Sequence, residues 1–358
     1  MKLISFYLPQ FHEIPENNDA WGKGFTEWTN VKKSRPLFVG HHQPRVPLHH
    51  HYYNLLEDGV MEWQTNLAKK AGIYGFCFYH YWFEGRMVLE KPVEKLLHNQ
   101  DIHFHYCFAW ANESWTKTWH GAKGNREILM AQTYGNEEEW QKHYDYFRKF
   151  FLDGRYMKEK NRPVLLLYRV RNITRFNDMI RYWNRCAVQD GFDGVFIVTM
   201  DNCREHAEKS RWIDAAVDFE PNRTKSEKIE NPMIKIQPKE RKNLLWNRLA
   251  LRTISYDRLN REMIKKPHGK NHFRTAFAGY DDSPRRNFRA IIVRGSSPRK
   301  FGKYLREMIL LSQKEGNDYV FINAWNEWGE GNYLEPDEKN KYAYLREIQK
   351  CKRSGLLQ

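Results

Sequence analysis

With 358 residues, 41% of them hydrophobic and 29% charged, the chain is too apolar to be disordered and long enough to bury a full-sized core, as one large domain or two ordinary ones. No run of about 18 consecutive apolar residues occurs, which excludes a spanning helix, and Met1 leads straight into Lys2 to Leu8 without the pattern of a signal peptide. The expected location is therefore cytoplasmic, peripheral at the inner face of the membrane, because 59 basic against 44 acidic residues give a formal charge of +15 that favours an anionic partner.

In chain order, the first expected strand is Leu3 to Leu8, followed by a long, Pro-, Gly- and His-rich loop from Ile14 to Tyr53. An amphipathic helix over Met61 to Lys70 stops at Gly72, and strands follow at Ile73 to Tyr79 and Phe104 to Ala109. Helix Glu137 to Phe151, strand Val164 to Arg169, helix Phe176 to Val188 and strands Val195 to Met200 and Ala215 to Phe219 come next. Residues 222–270 hold 14 Lys and Arg against 5 Asp and Glu, a basic insertion in which Asn243 to Ile264 reads as a helix packed on the fold or lying on a membrane surface. Strand Thr275 to Gly279, helix Lys300 to Lys314 and strand Tyr319 to Ala324 complete the series. Most of the strands are continuous apolar runs, as in a parallel sheet buried on both faces. Eight of them alternating with helices predict the α/β class and a single (β/α)8 TIM-type barrel over 1–358 with long loops on the catalytic face, an open sheet being the alternative.

In such a barrel the residues just after each strand face the active site. Here they include Gln10 and His12; His80, Tyr81 and Trp82; Trp110, Asn112 and Glu113; Asp281, Arg285 and Arg286; and Asn326, Glu327, Trp328 and Glu330. Rings to stack on, amides and carboxylates for hydroxyl pairs, and acids for a glycosidic oxygen suit a sugar. No glycine-rich nucleotide motif is present. Glycosidic chemistry takes two carboxyls, and Glu327 and Glu330, three apart in a glycine-bearing turn, fit; burial and like charge would raise one pKa. Glu113, in a second Asn-Glu pair, is the competing carboxylate, with a sugar-hydroxyl role or an ion pair to an arginine as its other readings. Arg285 and Arg286 form a clamp for phosphate or carboxylate, or else surface salt bridges. The histidines at 41–42 and 49–51 lack metal-ligand spacing, so neither metal nor cofactor is expected. His80, Trp82 and Trp110 are expected to share a pocket with Glu327.

Five blocks resemble one family: Phe6 to His12, Gly22 to Asn30, Phe78 to Phe83, Trp110 to Glu113, and Trp325 to Gly331 with Leu334-Glu335-Pro336. The chain resembles WbsX-type glycosyltransferases of bacterial surface-polysaccharide (O-antigen) biosynthesis, which are similar to family 99 endo-α-mannosidases. The resemblance implies a barrel and makes Glu327 the base that deprotonates the sugar 2-hydroxyl and Glu330 the acid and later base, with retention at an α-linked sugar. Tyr7, Gln10, His12, Glu27, Trp28, His80, Tyr81, Trp82, Trp110, Asn112, Glu113, Asp281, Arg285, Arg286, Asn326 and Trp328 are the expected substrate-binding residues. Gly329 stands where a histidine is common in the hydrolases. The expected partners are an oligosaccharide or lipid-linked glycan, a nucleotide sugar, and an anionic membrane surface, but no nucleic acid. An endo-acting retaining α-glycoside hydrolase and a non-catalytic glycan-binding barrel are the alternatives.

Overall fold

The computed structural model describes residues 1–116, 127–200, 211–228 and 251–357. Eight apolar segments form strands: β1 (Lys2–Tyr7), β2 (Gly75–Phe83), β3 (His105–Trp110), β4 (Arg162–Leu167), β5 (Phe196–Thr199), β6 (Ala215–Val217), β7 (His272–Phe277) and β8 (Tyr319–Asn323). Each pairs in parallel with the next, and β8 returns to β1 with Lys2 opposite Tyr319 and Ser5 opposite Ile322. The sheet is thus a closed (β/α)8 barrel, as the sequence predicts, and the open-sheet alternative is excluded.

The helices discussed below are α1 (Glu27–Lys33), α2 (Val60–Ala71), α3 (Lys91–His98), α4 (Glu137–Phe151), α5 (Phe176–Gln189), α6 (Asn222–Lys228), α7 (Tyr256–Lys265), α8 (Ser283–Arg286), α9 (Pro298–Lys314) and α10 (Ala343–Arg353). Local chemistry sets several ends. Asn136 accepts from the Glu138 and Glu139 amides at the start of α4, Ser297 does the same for Lys300 in α9, and α2 stops at Gly72 with φ 107°. The long first loop contains α1, and Thr26, just before it, donates its backbone N–H to the Thr29 hydroxyl oxygen.

The stretch expected as one helix from Asn243 to Ile264 is different where it is described. Arg252–Ser255 is a strand paired in parallel with Ile291–Arg294, and Ser255 caps α7 by accepting from Arg258. A serine that can cap, preceded by β-branched Thr253 and Ile254, divides the run. Residues 229–250, with Leu244, Leu245, Trp246 and Leu249, lie outside the described residues.

Aromatic rings fill the barrel. Phe6 lies 5.4 Å from both Phe219 and Phe321 and 6.0 Å from Tyr79. Tyr7, its neighbour on β1, points the other way, its hydroxyl donating to Gln64 on α2. Outside, α4 buries Phe147, Phe150 and Phe151 completely, each worth roughly 2–3 kcal/mol of transfer free energy. At the C-terminal rim, amides join strand ends. Asn326 accepts from Leu8 N and donates to Leu8 O, while Asn112 accepts from Arg169 N and donates to Arg169 O.

Candidate active site

A cleft of about 390 Å³ opens at the strand C-termini. Its walls carry the rings of Tyr79, Tyr81, Tyr168, Phe219 and Tyr280, the carboxylates of Glu113, Asp282, Glu327 and Glu330, and the cations Arg169, Lys225, Arg285 and Arg286. Glu327 and Glu330 come from the turn after β8, where Trp325 N donates to Phe6 O and Glu330 O accepts from Asp281 N. That turn is backed by a buried polar chain. Trp328 stacks on Tyr333 at 3.7 Å and donates to Glu335, which also accepts from Tyr53 and Gln64.

Arg285, on α8, is the hub. Its Nε meets Glu27 Oε1 at 2.9 Å, its Nη1 meets Glu330 Oε1 at 2.9 Å, and its Nη2 meets Glu327 Oε2 at 3.1 Å. One buried guanidinium thereby draws a carboxylate of the first loop and both carboxyls of the β8 turn to one place. Burial, reinforced by the charges of Glu330 and Glu27 and opposed by Arg285, pushes the Glu327 carboxyl up to about 8. Gly329 is required between them: a Cβ there would fall 1.6 Å from Glu27 Oε1 and 2.9 Å from Arg285 Nε.

Of the expected residues, Tyr81, Glu113, Arg285, Arg286, Glu327 and Glu330 line this cleft together. Glu113 also accepts from Arg169 at 2.8 Å, so the ion pair to an arginine is formed by a carboxylate that stands in the cleft wall. The structure moves other residues away. His80, Trp82 and Trp110 do not share the pocket of Glu327; they face α4, where His80 and His143 bring their Nε2 atoms within 2.9 Å, Trp82 stacks on His143 at 4.3 Å, and Trp110 meets the same ring edge-on. The reason is strand alternation: β2 continues to Phe83, so Tyr79 and Tyr81 face the cleft while His80 and Trp82 face out.

Several further expected residues are structural supports. Tyr7 is tied to α2, Trp28 donates to Tyr53 O and packs on Trp328, and Gln10 is buried with its carbonyl accepting from Glu27 N. His12 is enclosed, and burial with the Lys91 charge pushes it down to about 4. Asn326 and Asn112 hold neighbouring strand ends, Asn112 also lining a polar hollow with Glu113 and Tyr134. Asp281 accepts from His41 and Gln43; burial raises its pKa, but the His41 bond, the Arg45 charge and a bond from Ser283 hold it at about 2. It pins the first loop to the end of β7. Glu27 is fully buried behind the cleft.

The reading of strand ends missed Lys225, on α6. Its run of basic neighbours reads as a solvated face, yet Lys225 is 7% exposed and lines the cleft. Tyr79 was hidden by ending β2 too early. Among the described residues, one group has metal-ligand geometry: Asp218, His268 and His272, whose ligand atoms lie within 4.8 Å of one another. Arg223 already bonds Asp218, so an arginine meets that carboxylate's charge, and none of the three lines the cleft.

The model of the family described as Glycosyltransferase WbsX matches residues 3–348. The chain belongs to the WbsX family. Two curated relatives from two strains of Xanthomonas campestris pv. campestris, both called Uncharacterized protein WxcX, are 32% identical to this WbsX chain over 348 residues. The match covers 96% of this chain and 48% of theirs, so the chain spans about half the length of these relatives. A family 99 endo-alpha-mannosidase from Bacteroides thetaiotaomicron superposes with a TM-score of 0.57 at 13% identity, covering 99% of this chain and 96% of that one. A glycoside hydrolase-like protein gives 0.56 at 11% identity over 98% of this chain and 93% of its own. At such identities the likeness shows the fold alone. Membership of a family described as glycosyltransferases supports a carbohydrate-active enzyme. No helix among the described residues is long and apolar enough to cross a membrane.

Proposed function

We propose that this chain makes or breaks α-glycosidic bonds with retention, as a WbsX-type glycosyltransferase of bacterial surface-polysaccharide assembly acting on an oligosaccharide or lipid-linked glycan. The observation that carries the reading is the pair Glu327 and Glu330, both held by Arg285 at one end of a ring-walled cleft. The rings offer faces for a pyranose, and Glu113 with Arg169 offers an acceptor and donors for its hydroxyls.

In this reading Glu327 takes the proton of the sugar 2-hydroxyl, whose oxygen bonds to the anomeric carbon as Glu330 protonates the leaving oxygen. The acceptor, giving its proton to Glu330, then opens this 1,2-anhydro intermediate at the anomeric carbon, and O2 recovers its proton from Glu327, with net retention. A carboxylate of ordinary pKa is a weak base toward an alcohol, and the upward shift of Glu327 to about 8 strengthens it. Arg285, touching both, keeps them from adopting charge independently. The expected kinetics follow. Turnover rises with pH up to about 8 as Glu327 loses its resting proton. Glu330→Gln loses most turnover on an unactivated glycoside, by roughly 10²-fold or more, but recovers with a glycosyl fluoride, whose leaving group needs no proton. Wild-type rates on both substrates would remove Glu330 from the acid role, and rescue of Glu327→Gln instead would exchange the two roles.

A further inference from the structure

The cleft lining holds four cations, and three of them have carboxylate partners. Arg169 meets Glu113 at 2.8 Å, Arg285 meets Glu327 and Glu330, and Arg286 meets Asp282 at 3.2 Å. Lys225 differs. Among the described residues it makes no ion pair; its Nζ donates to Asn222 Oδ1 at 2.8 Å and sits 3.3 Å from the centroid of the Tyr280 ring. The side chain is buried, and that burial pushes its pKa down to about 8 against the pull of Glu330 and Asp282.

A buried ammonium with no carboxylate in contact is unfavourable, and the face of one ring, with the charges of Glu330 and Asp282 farther off, offsets only part of the cost. An ammonium has three donors, and Asn222 takes one. The remaining capacity lies in the wall of the cleft, close enough to Glu330 for the two charges to act on each other, with half-exposed Arg286 nearby. A neutral sugar does not call for an unpaired cation there. An anion does, and for an enzyme that transfers sugars the anion joined to the reacting sugar is a phosphoryl group.

We propose that Lys225, with Arg286, binds the phosphoryl group of a glycosyl phosphate or diphosphate beside Glu330. This rests on the glycosyltransferase reading and names its substrate class. The shared chemistry comes from a nucleotide sugar or from a polyprenyl-linked sugar, and Lys225 engages either as a compact charge while Arg286 supplies planar donors.

The test is titration calorimetry of the full chain with pyrophosphate, with uridine diphosphate, and with vesicles containing polyprenyl phosphate, at one ionic strength. Wild type should bind at least one of them. Lys225→Met, which keeps the buried volume, should weaken that binding at least tenfold, Lys225→Arg should retain most of it, and the exposed Lys314→Gln should match wild type. Wild-type affinity should also fall above pH of about 8, whereas that of Lys225→Arg should not. Preference for uridine diphosphate identifies a nucleotide donor, and preference for the vesicles a lipid-linked one. Equal binding by wild type and Lys225→Met, or no phosphoryl binding by a wild-type chain that still turns over a glycosyl fluoride, overturns the site and leaves the proposed function standing. Phosphoryl binding that depends on Lys225 in a chain that turns over no glycoside overturns the proposed function and leaves the site standing.

Discussion

At the scale of single residues, the decisive position is one without a side chain. Gly329 has no room for a side chain: the volume it would take is filled by the Glu27 carboxylate on its way to Arg285. The glycine at 329 and the glutamate at 27 therefore form one unit. Gly329→Ala should expel Glu27 from Arg285 and leave a buried carboxylate without its cation, costing about 3–5 kcal/mol. In a Glu27→Ala background the same change should cost far less, because the clash has been removed. Urea unfolding of the two single variants and the double variant measures the coupling, and additive losses would show that 329 and 27 act independently. Trp328 illustrates a different use of an expected site residue. It never reaches the cleft, yet its stacking on Tyr333 and its bond to Glu335 fix the turn that presents both catalytic candidates.

Elements decide which of those residues can meet. The β8 turn hangs from β1 through Asn326, whose two bonds to Leu8, 2.8 and 2.9 Å long, satisfy backbone groups that are otherwise buried. Asn326→Ala should lower stability by about 3 kcal/mol, since both Leu8 groups lose their partner, and should lower turnover further by loosening Glu327. Denaturation midpoints and rates on the same preparation check this; an unchanged rate would mean the turn is held elsewhere. All eight strands and the barrel were legible in the sequence, because strands buried on both faces read as uninterrupted apolar runs. The facing of side chains beyond the strands was less so. A rule that assigns everything after a strand to the cleft fails where the strand continues, and β2 continues through His80-Tyr81-Trp82, alternating sides at each residue. Taking the apolar run to Phe83 and choosing every second residue would have found Tyr79 and Tyr81 and set aside His80 and Trp82. The Glu327 and Glu330 turn was legible because both carboxyls and their glycines are contiguous. Lys225 was not, because a lysine in a basic run carries no local sign of burial, and the Tyr280 ring it lies against is distant in the chain.

Over the whole molecule, buried ionisable groups set how stability responds to pH. Glu327, at about 8, and Glu335, raised by burial to about 7, hold protons more tightly when folded than when unfolded. Their contribution is complete below the ordinary glutamate value and is lost as pH rises through 7 and 8. His80, at about 3, and His12, at about 4, are lowered chiefly by burial; their contribution is complete above the ordinary histidine value near 6.5 and is lost as pH falls. From pH of about 6.5 to 8 the carboxyls dominate, so stability should drop by on the order of 2 kcal/mol across that interval. Thermal unfolding at half-unit steps tests it, and Glu335→Gln should flatten the slope; a Tm that climbs through the interval would contradict the assignment. The proposed base thus works best where the fold is giving up stability, as expected of a strained functional group. The Arg285 hub has a consequence for biogenesis. Arg285 and Glu27 are 258 residues apart in the chain, and Glu327 lies 42 beyond Arg285. A chain emerging from the ribosome carries Glu27 long before its partner exists, and the acid pair comes later still. Under the proposed function, activity therefore waits for barrel closure, because an N-terminal fragment that stops short of Glu327 carries neither glutamate of the pair.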